Sequence, residues 1–512
     1  MLPYRSTMAA AAAAAALMAA PGFAAAAAQV NPELGLAART NGQVEALIVL
    51  ADQATPTTAP LSADADYKQR RRALVQALRT RAETQQLSLR IWLDSRGIAH
   101  RAFWLANMVQ ATLSADDIDA LSARADVARL ETNPSITAQV PRAAGAPTAP
   151  ARPAETLAVE WGVTKIRAPE VWAAGITGQG VVIGGADTGY NWAHPALRPQ
   201  YRGWNGASAV HAYNWHDAIH VANSACPADS PAPCDDQGHG THTAGTFAGG
   251  DGGSNQIGVA PGAKWMGCRN MNASNGTPAT YIECMQWMLA PTDAAGNNPD
   301  PDLAPDIISN SWACPVYEGC TVGNELTQAV AHLSAAGILY VAAAGNDGPE
   351  CNTIRDTPAT LATAFTIGAT DINDRLAGFS SRGPVNPGSQ RLSVNKVDIT
   401  APGSNVRSAY LATGYVNLSG TSMATPHVAG AAALVMSAAP WLKGQPVKVM
   451  QLLRQTAQRA GIANTASQAS QACGRVAASS WPNPMMGWGR VDAYAAYQAA
   501  VQTQPTRAVG GR

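Results

Sequence analysis

Three side chains in this sequence have the types and settings that acyl transfer by a serine requires. Ser422 lies in Gly420 to Gly430, GTSMATPHVAG, at the mouth of a helix-forming run; His239 stands in DDQGHGTHTAGT; Asp187 ends the apolar run GVVIGGAD. A serine hydroxyl is a poor nucleophile at neutral pH, so it needs a base to take its proton and a third group to fix that base's tautomer and orientation. The chain order Asp, His, Ser separates this sequence from arrangements that run His, Asp, Ser or Ser, Asp, His. Taken singly, each residue has an ordinary use: Asp187 as a turn former before Thr188 and Gly189, His239 as a helix-start histidine after Asp235 and Asp236, Ser422 as an N-cap. The conjunction carries the chemistry. His242, one turn after His239, is read as a packing residue, and Pro426 as a first-turn residue of the Ser422 helix, where its missing N–H is tolerated.

The motifs DTG, HGTHTAGT and GTSMATPHVAG resemble, in sequence, order and spacing, the signatures of the subtilisin-like serine peptidases, the subtilase family. AAAGND at Ala342 to Asp347 resembles the segment that carries the family's oxyanion asparagine. SNSW at Ser309 to Trp312, SSRGP, APG and GWGRVDAY resemble its substrate-strand and framework landmarks, and the loop pattern is similar to the bacillopeptidase F branch. The resemblance covers roughly residues 160 to 500. It implies Asp187, His239 and Ser422 as the triad and Asn346 as the amide donor to the oxyanion, with an Asx turn as that asparagine's ordinary alternative. It also implies an extended substrate adding a strand beside Ser309 to Ala313, with the segments Ser311 to Cys314, including Trp312, and Asn346 to Pro358 walling the pocket for the side chain before the scissile bond. Matching on Pro358 puts Asp356 near the floor of that pocket, where an acid would favour Arg or Lys unless Arg355 neutralised it. The chemistry needs no cofactor. A structural calcium is compatible with the family, with Asp251 and Asn255 as substitutes where Gly252 stands near the usual ligating asparagine.

The elements that must position these residues alternate. GVVIGGAD, DIISNS, GILYVAAAG, FTIGATD and KVDITAPG read as short buried strands, which predicts an α/β fold with a doubly wound, mostly parallel sheet. Ligands of such sheets sit beyond the carboxyl ends of the strands, where Asp187, Ser311 and Asn346 fall. Upstream, Val44 to Leu50 reads as a strand, Tyr67 to Leu93 as a long helix and His100 to Leu113 as a strand. A helix follows from Ser114, capped with Asp117, and ADVARLETN closes as a strand. This order is close to a ferredoxin-like half and resembles the inhibitory propeptide of subtilases; an accessory binding domain is the other reading.

The chain of 512 residues carries 35 basic and 35 acidic side chains, only 14% charged, so no basic face for nucleic acid is implied. No apolar run outside the Ala-rich N-terminus reaches the roughly 18 residues that span a bilayer. That N-terminus, with Arg5 and several A-x-A sites, reads as a signal peptide over residues 1–28. The propeptide is expected over 29–139, an Ala/Pro-rich linker over 140–159, the peptidase region over 160–502 and a polar tail over 503–512.

The eight cysteines suit disulfides in an exported protein. The short loops CPADSPAPC and CPVYEGC favour Cys226 with Cys234 and Cys314 with Cys320; Cys268 with Cys284 and Cys351 with Cys473 complete the set. Zinc lacks a C-x-x-C pair, and buried free thiols are the remaining alternative. The expectation is a secreted, extracellular or periplasmic, monomeric endopeptidase. Its partners are protein or peptide substrates and its own propeptide, with no membrane span. The alternative is a catalytically silent binding protein on the same fold.

Overall fold

The computed structural model describes residues 27–55, 66–138, 158–320, 323–385 and 396–503. Nearly all of the expected signal peptide and linker, and the tail from 504 on, lie outside the described residues.

The N-terminal unit is a five-stranded sheet with helices. In chain order it comprises β1 (Gln29–Val30), α1 (Pro32–Asn41), β2 (Val44–Leu50), α2 (Tyr67–Ser95), β3 (His100–Phe103), β4 (Met108–Leu113), α3 (Ala115–Ser122) and β5 (Val127–Thr132). The strand order is β1-β5-β2-β4-β3. Helix α3 starts with the capping box between Ser114 and Asp117. Helix α1 was not foreseen, although Asn31 accepts from Glu33 N at 3.0 Å, Pro32 follows, and Gly42 ends the helix at φ 82°. The stretch His100 to Leu113, expected as one strand, is a hairpin with Phe103 opposite Met108. The chain reverses over Trp104 to Asn107, and Asn107 takes the left-handed φ of 39°. This turn has no Gly or Pro, and its Leu105 and Ala106 are buried, so it reads as strand.

Strand β6 (Ile136–Thr137) ends the unit. Beyond residue 157, β7 (Ala158–Val159), α4 (Trp161–Lys165) and α5 (Ala168–Ala173) lead to β8 (Val182–Asp187), β9 (Trp215–Asp217) and α6 (His239–Ala248). Next come β10 (Asn255–Gln256), β11 (Lys264–Arg269), β12 (Met271–Asn272), β13 (Asn275–Gly276), α7 (Pro278–Leu289), β14 (Ile307–Asn310) and α8 (Gly323–Ala335). The series continues through β15 (Leu339–Ala343), β16 (Phe365–Thr370), β17 (Ile399–Pro402), the hairpin β18 (Val406–Tyr410) and β19 (Gly414–Leu418), and α9 (Thr421–Ala438). Seven of these strands form one parallel sheet in the order β17-β16-β15-β14-β8-β11-β9. Alternate side chains enter opposite cores: Ile307 and Val341 join α6 and α9, while Ile308, Tyr340 and Ala342 join α7 and α8. Burial on both faces is what makes such strands read as unbroken apolar runs.

Strand β2 shows the same alternation. Ala46, Ile48 and Leu50 enter the N-terminal unit's own core with Leu34, Leu89 and Leu130. Leu47 and Val49 pack with Ile282 and Met285 of α7 and Leu326 and Val330 of α8. Polar contacts ring this seam. Arg71, 1% exposed, donates to the carbonyls of Ala336 at 3.0 Å and of Pro301 and Ala304 at 3.3 Å. Arg101 pairs with Glu283 at 2.7 Å, Arg129 pairs with Glu325, and Gln286 accepts the amides of Trp104 and Leu105.

The structure bonds Cys226 to Cys234, Cys268 to Cys284, Cys314 to Cys320 and Cys351 to Cys473, with Cα atoms 5.4 to 5.9 Å apart. The last bridge closes a span of 122 residues and the third only 6. In a chain-entropy account, Cys351→Ser with Cys473→Ser should therefore cost about 5 kcal/mol, against about 2 for the same change at Cys314 and Cys320. Denaturant unfolding of the two double variants checks the order. Arg71→Ala strands three seam carbonyls, and should raise amide exchange in α2 by about tenfold or more while the seven-strand sheet stays protected. Equal acceleration in both regions would contradict a role confined to the seam.

Candidate active site

Asp187 ends β8, Ser311 follows β14 and Asn346 follows β15, so all three stand at the carboxyl edge of the sheet. Two helices complete the site, α6 beginning at His239 and α9 beginning at Thr421, and they pack against each other.

The start of α6 is built around Asp235. Its carboxylate accepts the amides of Gln237, Gly238 and Thr241 at 2.8 to 3.1 Å and the Thr241 hydroxyl at 2.6 Å. Burial pushes this carboxyl above the usual range. Asp236, expected beside it at the helix start, instead pairs with the buried Arg269 at 2.6 Å. Gly240 lets the helix close on β8, since a Cβ there would lie 2.0 Å from the Gly189 carbonyl oxygen and 3.0 Å from Asp187 Cβ. That approach puts His239 Nδ1 2.7 Å from Asp187 Oδ1, both residues buried. A carboxylate oxygen can only accept, so Nδ1 carries the hydrogen and Nε2 the lone pair. Nε2 is buried with no hydrogen-bond partner among the described residues. His242 behaves as a packing residue: it contacts the carbonyls of Val406 and Val416, and burial drives its pKa down to about 3.

Ser422 is the second residue of α9. Its hydroxyl donates to the Ser311 carbonyl at 3.2 Å, and the Ser311 hydroxyl donates to the Ser422 carbonyl at 3.1 Å. The second bond corrects the reading of Pro426. That residue is the sixth of the helix, not part of its first turn, and it supplies no N–H to the Ser422 carbonyl four residues before it. The Ser311 hydroxyl takes the missing donor's place.

Asn346 Oδ1 accepts the Thr421 amide at 2.9 Å and the Thr421 hydroxyl at 3.0 Å. A backbone amide can only donate, which fixes the oxygen on that side, and Asn346 lines a cavity. The same cavity is lined by Ser311, Trp312, Ala343, Asp356, Thr421 and Ser422, and by Thr137 and Ala138 at the end of the N-terminal unit. Trp312 is braced by stacking on Tyr281 at 3.8 Å and by donating to the Ala186 carbonyl. Ser309 does not line the cavity: it is paired with Gly185 and Val341 inside the sheet, which leaves no edge for a substrate. The edge that receives a strand is β13, where Ile136 and Thr137 of β6 pair antiparallel with Gly276 and Asn275. Sequence reading missed that edge: its turn is Ala273-Ser274, at φ 46° and 77°, which carries no Gly, and the Asn-Gly pair lies in the strand instead. A larger cavity of about 430 Å³ lies between α2 and α7, away from these residues.

The substitutes proposed for calcium do not fit one. Asp251 spends Oδ1 on the amides of Gly253 and Asn255 and Oδ2 on the Asn255 side chain. Asn255 Oδ1 accepts from the Arg407 guanidinium at 2.9 Å, a positive charge where a cation would need a ligand.

The model of the Subtilase family matches residues 178–489, well over half of the chain. Bacillopeptidase F of Bacillus subtilis (strain 168) is 41% identical over 291 residues, 55% of this chain but only 19% of that protein's length. Alkaline protease of Alkalihalobacillus alcalophilus is 33% identical over 359 residues, 70% of this chain and 76% of that one. Subtilisin Savinase of Lederbergia lenta is 35% identical over 308 residues, 60% of this chain and 94% of that one. The extent of the family match, on a sheet of the expected kind, carries the conclusion that the chain belongs to the subtilase family of serine endopeptidases.

Proposed function

We propose that this chain is an exported endopeptidase that hydrolyses peptide bonds in proteins through Asp187, His239 and Ser422, by way of an acyl-enzyme. The observation that carries this reading is the buried 2.7 Å contact of His239 with Asp187, which leaves Nε2 as an unpartnered base. Rotation about the Ser422 side chain exchanges its bond to the Ser311 carbonyl for one to Nε2. His239 then takes the hydroxyl proton as the oxygen attacks the substrate carbonyl, and returns it to the leaving amine, while Asp187 stabilises the imidazolium. The Asn346 amide and the Ser422 N–H, an orphan donor at a helix start, receive the oxyanion. Chemistry of this kind needs no cofactor.

The N-terminal unit is proposed as a ferredoxin-like propeptide that blocks the site until the chain cuts itself. Support comes from β6, which adds to the β13 edge and brings Thr137 and Ala138 to the cavity of Ser422. The first cut is proposed near Gln139, at the start of the linker. Removal of residues 1–28 on export is part of the same proposal, and four disulfides suit an oxidising compartment.

A fluorophosphonate probe should label the protein at Ser422, and a folded chain that takes no label would favour the silent binding protein. Ser422→Ala should stay joined to its N-terminal unit and hydrolyse no protein; a processed Ser422→Ala product, formed without added protease, would refute self-cleavage. Asn346→Ala should lower kcat by about 100- to 1,000-fold with little change in KM, the loss typical of removing one such donor from a subtilisin. An equal rise in KM at constant kcat would reject the oxyanion role.

A further inference from the structure

The cavity beside Ser422 carries a charge that the triad does not use. Asp356 lines it together with Ser422 and Asn346, half-buried, and its carboxylate has no hydrogen bond or ion pair among the described residues. Arg355, the neighbour that could have neutralised it, is exposed and donates its Nε–H to the Asn352 carbonyl at 3.0 Å. The position of Asp356 is fixed from the side: the amide of Cys314 bonds the Thr357 carbonyl at 2.8 Å. Cys314 also closes the small disulfide loop with Cys320, which carries Tyr317 and Glu318 to the same cavity. Glu318 holds the Thr137 amide at 3.0 Å, so in the uncut chain this second carboxylate already faces the segment that occupies the site. Asp347 is the third acid on the lining.

We propose that Asp356 makes this pocket a receptor for an arginine or lysine side chain immediately before the scissile bond. The proposal rests on the peptidase reading above and names its substrate class. A half-buried carboxylate without a partner is costly, and a guanidinium or ammonium group removes that cost with a charge-assisted hydrogen bond. The walls suit the stem of such a side chain, because Trp312, Pro315 and Ala343 offer apolar surface along which methylenes pack while the charge reaches the acid. A leucine finds the same walls and leaves Asp356 unpaired. The carboxyl itself responds to its setting: burial first, and the nearby Asp347 charge second, push it up to about 6, with Arg355 opposing and Glu318 adding a little. The negative charge that selects a basic residue is therefore present well above pH 6 and fades as pH falls through that value.

The test uses the secreted, self-processed enzyme and two peptides that differ only in Arg or Leu before the cleaved bond. The expected Arg-to-Leu ratio of kcat/KM is about 10 to 100 at pH 8, the range of one hydrogen bond to a charged group. It should shrink toward one by pH 5, and shrink by about tenfold or more in Asp356→Asn at pH 8. Taking the ratio cancels the titration of the shared triad. In Asp356→Lys, a peptide with Glu at that position should overtake the Arg peptide, a reversal that a merely structural role would not produce. A wild-type ratio near or below one with both peptides cut, or a ratio unchanged in Asp356→Asn, would overturn the pocket assignment and leave the peptidase reading standing. Failure to cut either peptide or to take a fluorophosphonate label would overturn both.

Discussion

The carbonyl of Ser422 has no helical donor, because Pro426 stands where the N–H would be, and the Ser311 hydroxyl bonds it instead. That one exchange ties the start of α9 to the end of β14. It holds the candidate nucleophile in register with the wall that Ser311 and Trp312 form, and Thr421 extends the tie to Asn346, just past the end of the next strand. Three segments far apart in sequence are thus locked by side chains that bond one another's backbones, with Thr421 Oγ1 also meeting the amide and carbonyl of Gly345. A proline that would weaken an ordinary helix leaves an acceptor that a neighbouring strand can hold.

How much of this was legible depended on whether the deciding partner was local. Five of the seven strands, β8, β14, β15, β16 and β17, the Ser114 capping box and the rim position of Asp187, Ser311 and Asn346 follow from apolar runs and their stops, which are properties of neighbouring residues, whereas β9 and β11 were not read. Ser309 was misjudged because the two residues that pair with it, Gly185 and Val341, are remote, and nothing in SNSW tells a paired residue from an edge one. Asp235 and Asp236 are adjacent and chemically identical. Only the buried Arg269 separates the helix anchor from its neighbour. The hairpin at Trp104 stayed hidden for a related reason: its turn residues are apolar because the seam covers them.

That seam also explains the texture of VEALIVL. Its two apolar faces require two cores, and the second is completed by α7 and α8 of the following sheet. Leu47 and Val49 share that core with Leu74, Val75 and Leu78 of α2 as well as with Ile282 of α7 and Leu326 of α8. Arg71, sunk among carbonyls with no carboxylate ion pair among the described residues, is hard to accommodate anywhere except between the two units.

The disulfides bear on survival among copies of the same molecule. An endopeptidase at working concentration is surrounded by its own chains, and exposed loops are the preferred points of attack. The tip of the loop at Val316 and Tyr317 is exposed, yet it is closed by Cys314 and Cys320. The long stretch between Cys351 and Cys473 is held at both ends by one bond. A nick inside either span leaves the two pieces covalently joined and close to their native places. Autolysis there would scar the molecule without taking it apart.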